Sequence, residues 1–261
     1  METINNKKPA ITDISSNRAH FSVLNPNSPI NLVIANSQHL NFDQINIESI
    51  LSSSEIAILQ RRKLDSAKRE YLASRYLIKC LAKQYLTVEP SELTTSFDEP
   101  SARLVIKYQN HILPLSLVIS HSKGWVAVYL ANTPERMGID LEFISKKRPY
   151  LKLAKHFYHE AEIQKIETAN PMSDTFFRIW TLKEALAKAS ATPIAKLLAP
   201  NVYQGYEKNN LVAFSCQINR FDFTFAAPAS VLQPPALIEV LLKADLTGFE
   251  QTAVNRLHNV I

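Results

Sequence analysis

The stretch MGIDLE, residues 137–142, carries two carboxylates two positions apart behind a glycine, Asp140 and Glu142. On a strand, side chains two apart leave the same face. Asp140 and Glu142 therefore project together, while Ile139 and Leu141 turn into a core. Some forty residues on, WTLKEALAK (180–188) offers a third acid, Glu184, with Lys183 and Lys188 near it. On a helix, Glu184 and Lys188 are i and i+4 neighbours, and Trp180 shares their face. Lys183 is rotated by about 100° from Glu184. A hard divalent cation such as Mg²⁺ takes a few such oxygens and completes its shell with water or substrate phosphate. Ser120 and His121, at the end of an apolar strand, add hydroxyl and imidazole donors of the kind that hold a phosphate. Gly138 fits a close approach by a backbone or a ligand just before the acid pair.

Each feature alone has a plainer reading. The chain holds two acid-x-acid pairs, the other being Glu160 and Glu162, about the number that chance supplies. An exposed strand pair, a surface Glu–Lys pair and a turn histidine would account for the pieces separately.

The composition narrows the classes. The chain has 261 residues, 46% of them hydrophobic, enough for one large domain or two small ones. A net charge of +5 and an isoelectric point near 9.1 suit an acidic partner or a polyanionic ligand. The four glycines, Gly124, Gly138, Gly205 and Gly248, write neither a P-loop nor a dinucleotide fingerprint. The two cysteines, Cys80 and Cys216, sit in apolar stretches and suggest core positions in a reducing compartment. METINNKKPA has no apolar segment behind its lysines, and no run reaches membrane-spanning length. A cytoplasmic protein is the expectation.

The elements that must position these groups follow from periodicity. Residues 1–20 read as a frayed polar end. FSVLN and INLVIAN read as strands, and LSSSEIAILQRRK as a serine-capped helix. A long helix is expected from Asp65 to Leu86, with Arg75, Lys79 and Lys83 four apart. Lys79 and Lys83 read as a solvated face. RLVIKY, LPLSLVISHS, WVAVYLA and MGIDLEFI read as strands, helices follow at about 150–169 and 173–190, and LVAFSCQINR, FDFTFAAP and ALIEVLLKA read as strands. The order suggests an α+β fold of two similar halves, 1–130 and 131–261.

Taken together, the chain resembles the 4′-phosphopantetheinyl transferase superfamily, of the long, surfactin-synthetase-activating type. The resemblance rests on SHSKGWVAV (120–128), MGIDLE (137–142), KHFYHEAE (155–162) and FFRIWTLKEALAK (176–188), with REYLASR (69–75) upstream. It covers about residues 60–190. It implies two pseudo-symmetric α/β halves in one chain, a monomer, with coenzyme A between the halves. It implies transfer of the phosphopantetheine arm to a serine of an apo acyl, peptidyl or polyketide carrier protein, with release of adenosine 3′,5′-bisphosphate. By the resemblance, Asp140, Glu142 and Glu184 hold Mg²⁺. Lys183 and Lys188 contact the cofactor phosphates and the catalytic centre. Ser120 and His121 touch a phosphate of coenzyme A, and Arg75 and Arg69 supply further phosphate contacts. Glu184 is the candidate base for the carrier serine, with Glu162 in a supporting role.

Three departures stand out. Pro100, Ser101 and Ala102 occupy the place of a Gly-Lys-Pro, with Arg103 as a substitute for the missing lysine. His156, Phe157, Tyr158 and His159 replace Arg-Phe-Phe-Ser. Ser74 stands where glycine or alanine is common. Lys146, Lys147, Arg148, Lys152 and Lys155 fall within ten residues and read as a docking patch for an acidic carrier. Two other readings use the same residues: a Mg²⁺-dependent phosphohydrolase or nuclease, and a basic nucleic-acid-binding module. The dispersed lysines and arginines, without interleaved aromatics, argue against the second, so nucleic acid and membrane are not expected partners.

Overall fold

The computed structural model describes residues 30–40, 45–242 and 249–261. The strand expected at FSVLN and the polar N-terminal end lie outside the described residues. Strand β1 (Leu32–Asn36) leads to helices α1 (Ser53–Arg61) and α2 (Asp65–Ala82), then to strands β2 (Leu93–Asp98), β3 (Arg103–Tyr108) and β4 (His111–Ile112). Strands β5 (Ser116–Ser122), β6 (Trp125–Ala131) and β7 (Gly138–Phe143) precede helices α3 (Tyr150–Phe157), α4 (Glu160–Thr168), α5 (Met172–Ser190) and α6 (Val202–Lys208). Strands β8 (Leu211–Ile218), β9 (Phe221–Pro228), β10 (Leu237–Leu242), β11 (Phe249–Asn255) and β12 (His258–Asn259) complete an α+β fold.

Alternation along the strands explains the layers. One face of β1 and β6 sends Val33, Ala35, Val126 and Val128 into a core shared with α2. The other face sends Leu32, Ile34, Ala127 and Tyr129 into a second core, where Ile139, Leu141, Phe223 and Phe225 of β7 and β9 meet them. A third core lies beyond β8 and β9, under α5 and its neighbours, with Phe176, Phe177, Ile179 and Leu182 at its centre. The order is helix, sheet, sheet, helix. The first sheet runs β11-β10-β1-β6-β5 and the second β12-β8-β9-β7, while β2-β3-β4 forms a small third sheet.

Four differences from the sequence reading have physical causes. The sheets do not divide at residue 130, because β10 pairs parallel with β1 and so returns to the first sheet. The helix expected over 150–169 is two, α3 and α4. A capping box restarts the second: His159 Nδ1 accepts from the Ala161 N–H at 3.2 Å, and the His159 N–H donates to Glu162 at 3.2 Å. Helix α2 stops at Ala82, so Tyr85 and Leu86 continue only as a turn. Lys79 is not solvated; it is 1% exposed, and its ammonium pairs with Glu55, itself fully buried. Spacing along α2 cannot show a partner that arrives from α1. Lys83 is exposed as expected, Cys80 is buried and Cys216 is half-buried.

Candidate active site

Strands β5 and β7 are edge strands of different sheets, yet they lie side by side. Two serines join them. Ser120 Oγ donates to Asp140 Oδ1 at 2.8 Å and accepts from the Leu141 N–H at 3.1 Å. Two residues along, Ser122 Oγ donates to Glu142 Oε2 at 3.1 Å and accepts from the Phe143 N–H at 3.2 Å. The period of two on each strand brings a hydroxyl to a carboxylate twice. It also satisfies two backbone N–H groups of β7 that would otherwise lack a partner at the sheet edge.

Helix α5 closes the site from the other side. A Cβ on Gly138 would lie 2.0 Å from the Ala185 carbonyl oxygen and 3.0 Å from the Ala189 nitrogen. The glycine is therefore a contact with helix backbone, and it lets α5 sit low enough to present Glu184 and Lys188 to β7. Lys188 Nζ donates to the Ile139 carbonyl at 2.8 Å and to Asp140 Oδ1 at 3.0 Å. Asp140 is 5% exposed; its Oδ1 is held by Ser120 and Lys188, whereas its Oδ2 is buried with no hydrogen-bond partner among the described residues.

The electrostatics mark this as a strained set of acids. Burial, and then the charge of Asp140, push the Glu142 carboxyl above its usual range, against smaller opposing effects of Ser122, Arg148 and Trp180. Burial and then Asp140 do the same to Glu184, with Lys188 opposing. Hard oxygens, a buried unpartnered carboxylate oxygen and mutual repulsion fit a divalent cation. Among the described residues, no three acidic, histidine or cysteine side chains converge into a ready-made metal cage. The set is open, as suits a cation that keeps water and ligand oxygens in its shell.

Lys188 also lines a cavity of about 300 Å³ with Arg103, Arg136, Phe97, Val118 and Met137. Three cations at the rim of a largely apolar cleft suit a ligand that is anionic at one end. Arg136, which the sequence reading did not single out, donates to the carbonyls of Ser101 and Ala102 and so fixes the turn that leads to Arg103.

Arg69 lies elsewhere, in a second concavity of about 570 Å³ with Ser37, Gln38, Ser66, Glu70, Lys123 and Gly124. His121 is 59% exposed and its Nδ1 is 3.1 Å from Glu70 Oε2. Glu70 also accepts from the Gly124 N–H at 2.8 Å. The carboxylate orients the imidazole and leaves Nε2 directed elsewhere.

Three expected ligand contacts are placed otherwise. Lys183 is fully buried; its ammonium is 2.9 Å from Glu162 and donates to the carbonyls of Leu197, Leu198 and Pro200. Its rotation of about 100° from Glu184 carries it to another face of α5, where it ties down the 197–200 segment. Glu162 is spent there too, accepting from the Val202 N–H at 2.7 Å. Arg75 is 9% exposed, stacks 4.2 Å over the Tyr71 ring, and donates to Ser74 Oγ at 3.0 Å. It lines neither cavity, and the departure at Ser74 supplies its partner. Ser120 is 6% exposed, with its hydroxyl committed to Asp140 and Leu141. Of the basic run, Lys146, Lys147, Arg148 and Lys152 are exposed, while Lys155 pairs with Glu167 at 2.8 Å.

Residues 136–226 match the model of the 4′-phosphopantetheinyl transferase superfamily. The 4′-phosphopantetheinyl transferase HetI of Nostoc sp. is 30% identical over 153 residues, 58% of this chain and 64% of that protein. The 4′-phosphopantetheinyl transferase gsp of Aneurinibacillus migulanus is 40% identical over 73 residues, 27% of this chain and 29% of that protein. The chain thus spans less than two thirds of the length of either relative. The matched segment, residues 136–226, is the one that supplies Asp140, Glu142, Glu184 and Lys188, and it is similar to the 4′-phosphopantetheinyl transferase superfamily.

Proposed function

We propose that this protein transfers the phosphopantetheine arm of coenzyme A to a serine hydroxyl of an apo carrier protein and releases adenosine 3′,5′-bisphosphate. The observation that carries this reading is the Asp140 carboxylate, buried, anchored through Oδ1 and unpartnered at Oδ2, beside two acids whose protons it helps to retain. Asp140, Glu142 and Glu184 would hold Mg²⁺, which when bound supplies charge stabilisation to a pyrophosphate under attack.

The chain's own groups have separate tasks. The Lys188 ammonium, already fixed on Asp140 and the Ile139 carbonyl, faces the cavity and complements phosphate charge. Arg103, on the turn fixed by Arg136, adds a second cation on the same cavity wall and fits the place of the absent lysine. Glu184 accepts the carrier serine proton, directly or through one water. Its raised pKa brings it nearer the operating range of a general base. The serine oxygen forms the new bond to phosphorus, the pyrophosphate P–O bond breaks, and adenosine 3′,5′-bisphosphate leaves with the electron pair. Arg69 lines the second concavity and His121 stands beside it; both would contact a further phosphate of the same ligand.

The helix–sheet–sheet–helix order fits two related halves, but the boundary at residue 130 is crossed by β10 and β11, which join the earlier sheet; a chain that pairs its own halves would act as a monomer. Among the described residues no helix is long and apolar enough to cross a membrane. The exposed Lys146, Lys147 and Arg148 adjoin the acids, since the Arg148 charge acts on Glu142, and they suit an acidic carrier surface.

Incubation with coenzyme A, Mg²⁺ and a panel of apo carriers tests the proposal. The expected result is the mass of one phosphopantetheine added to a carrier serine. Hydrolysis of coenzyme A with no carrier modified would favour a phosphohydrolase instead.

A further inference from the structure

Strand β9 continues the face of the acids. Its antiparallel register with β7 sets Thr224 directly opposite Asp140 and Asp222 directly opposite Glu142. Opposite residues of such a pair send their side chains to the same face. Helix α5 lies on this face. It meets β7 where Ala185 and Ala189 pass over Gly138, and it meets β9 through Thr181.

Thr181, Asp222 and Thr224 are fully buried, and Ser215 is 1% exposed. Thr181 Oγ1 is 2.7 Å from Asp222 Oδ1, 2.9 Å from Thr224 Oγ1 and 3.1 Å from the Arg178 carbonyl oxygen. Thr224 Oγ1 is in turn 2.9 Å from Ser215 Oγ. Arg178 clamps the Asp222 carboxylate: Nε donates to its two oxygens at 2.9 and 3.0 Å, and Nη2 lies 2.8 Å from Oδ2. Each hydroxyl has one proton to give. Thr181 gives its own to Asp222, the nearest acceptor and the charged one, so Thr224 donates to Thr181 and Ser215 to Thr224. A valine would fill much the same space at 181. What the hydroxyl adds is direction: apolar contacts let a helix slide or turn over a sheet, whereas satisfied hydrogen bonds between buried groups fix one arrangement.

Glu184 lies between the two anchors of α5. It follows Thr181 by three positions, just under one turn, and directly precedes Ala185. Its i+4 neighbour, Lys188, donates to Asp140 Oδ1 at 3.0 Å. The height and rotation of the helix at Glu184 are therefore set by Thr181 on β9 before it and by Gly138 on β7 after it.

We propose that Thr181 is a positioning residue: its hydrogen bonds to Asp222 and Thr224 set α5 so that Glu184 joins Asp140 and Glu142 on one divalent cation. The inference rests on the reading of those three acids as cation ligands. A ligand side chain is held in productive geometry by the packing and hydrogen bonds behind it, and loss of such support weakens metal affinity by about 10- to 100-fold.

The test is Mn²⁺ binding by the whole chain, followed by electron paramagnetic resonance, with a urea melt of every variant. Thr181→Val removes the hydroxyl and Thr181→Ser keeps it. The expected result is Mn²⁺ affinity about tenfold weaker in Thr181→Val, restored in Thr181→Ser, with no further loss when Thr181→Val is added to Glu184→Gln. Should Thr181→Val fail to fold, Thr224→Val, which breaks the Thr224 bond and leaves the Asp222 bond, is read in its place with a weakening in the same direction expected. A folded valine variant that melts earlier yet binds Mn²⁺ as tightly as the wild type would reduce the hydroxyl to a structural bond and overturn the inference, leaving the cation reading standing. So would a further tenfold loss in the double variant, since Thr181 would then act independently of Glu184. Wild-type Mn²⁺ binding that is insensitive to Asp140→Ala would overturn both.

Discussion

The Ser120 hydroxyl stands 2.8 Å from Asp140 Oδ1 while it accepts the backbone N–H of Leu141, so one side chain joins two sheets and aims the central acid. With Lys188 on the same oxygen, the outcome is a carboxylate whose other oxygen has no hydrogen-bond partner among the described residues.

Ser120→Ala should therefore damage both fold and site. It strands the Leu141 N–H and releases Asp140, a loss of about 1–3 kcal/mol for a buried group left unpaired. Ser122→Ala, at a half-buried position, should cost less. Denaturant melts of the two variants check the order, and transfer assays should show the larger loss in Ser120→Ala. Equal melts and full transfer in Ser120→Ala would remove the serine from this role.

Glu184→Gln should stabilise the cation-free protein at neutral pH while it abolishes transfer. Burial and Asp140 raise the Glu184 pKa above its usual 4.5. The folded state therefore binds this proton more tightly than the unfolded state, and stability falls as pH rises from the unfolded pKa through the folded one. The penalty grows as pH rises above the unfolded pKa, and glutamine removes it. Thermal melts in chelator should show a higher melting temperature for the variant at pH 7, with the gap closing near pH 4.

Lys79→Met should be among the most destabilising substitutions in α2. Burial alone would raise the Glu55 pKa, but the charge and hydrogen bond of Lys79, with donors from Ser52 and Thr95, bring it below 4.5. Breaking such a pair leaves a buried carboxylate alone, at a cost of about 3–5 kcal/mol. The pair's stability is present above the unfolded pKa of Glu55 and is lost as pH falls through the lower folded pKa. The double variant Glu55→Gln, Lys79→Met should recover most of the loss in urea melts.

Reversal of Lys146 and Lys147 to Glu should raise the KM for an acidic carrier and flatten its salt dependence, with little change in the KM for coenzyme A. Exposed charges of this kind steer encounter and are screened over about 8 Å at physiological ionic strength. Lys155 is a poor choice for the same test, because Glu167 already compensates it. Steady-state kinetics at two salt concentrations decide the point; an unchanged carrier KM at low salt would reduce the patch to a solvated face.

What the sequence revealed was local. The period of two in MGIDLE placed Asp140 and Glu142 on one face with Ile139 and Leu141 opposite, and the spacing of Glu184 and Lys188 placed them together on α5. What it hid depends on partners far along the chain. Ser120 reads as a strand-end hydroxyl until β7 comes alongside β5. Lys79 reads as surface until Glu55 arrives from 24 residues away. Lys183 sits one step from Glu184, and that single step turns it toward the 197–200 carbonyls. The return of β10 to β1 joins positions two hundred residues apart, beyond any reading by periodicity. Helix α6 did leave a signal, the Asn201 cap whose side chain accepts from Tyr203 and Gln204, in a segment that the hydrophobic pattern alone passes over.

The most direct test of the central claim is carrier modification by the wild type and by Asp140→Ala, side by side, with coenzyme A and a range of Mg²⁺ concentrations, read as carrier mass. The prediction is Mg²⁺-dependent addition of phosphopantetheine by the wild type and almost none by Asp140→Ala at any Mg²⁺ concentration, with both proteins folded. Full modification by Asp140→Ala at saturating Mg²⁺ would contradict the account.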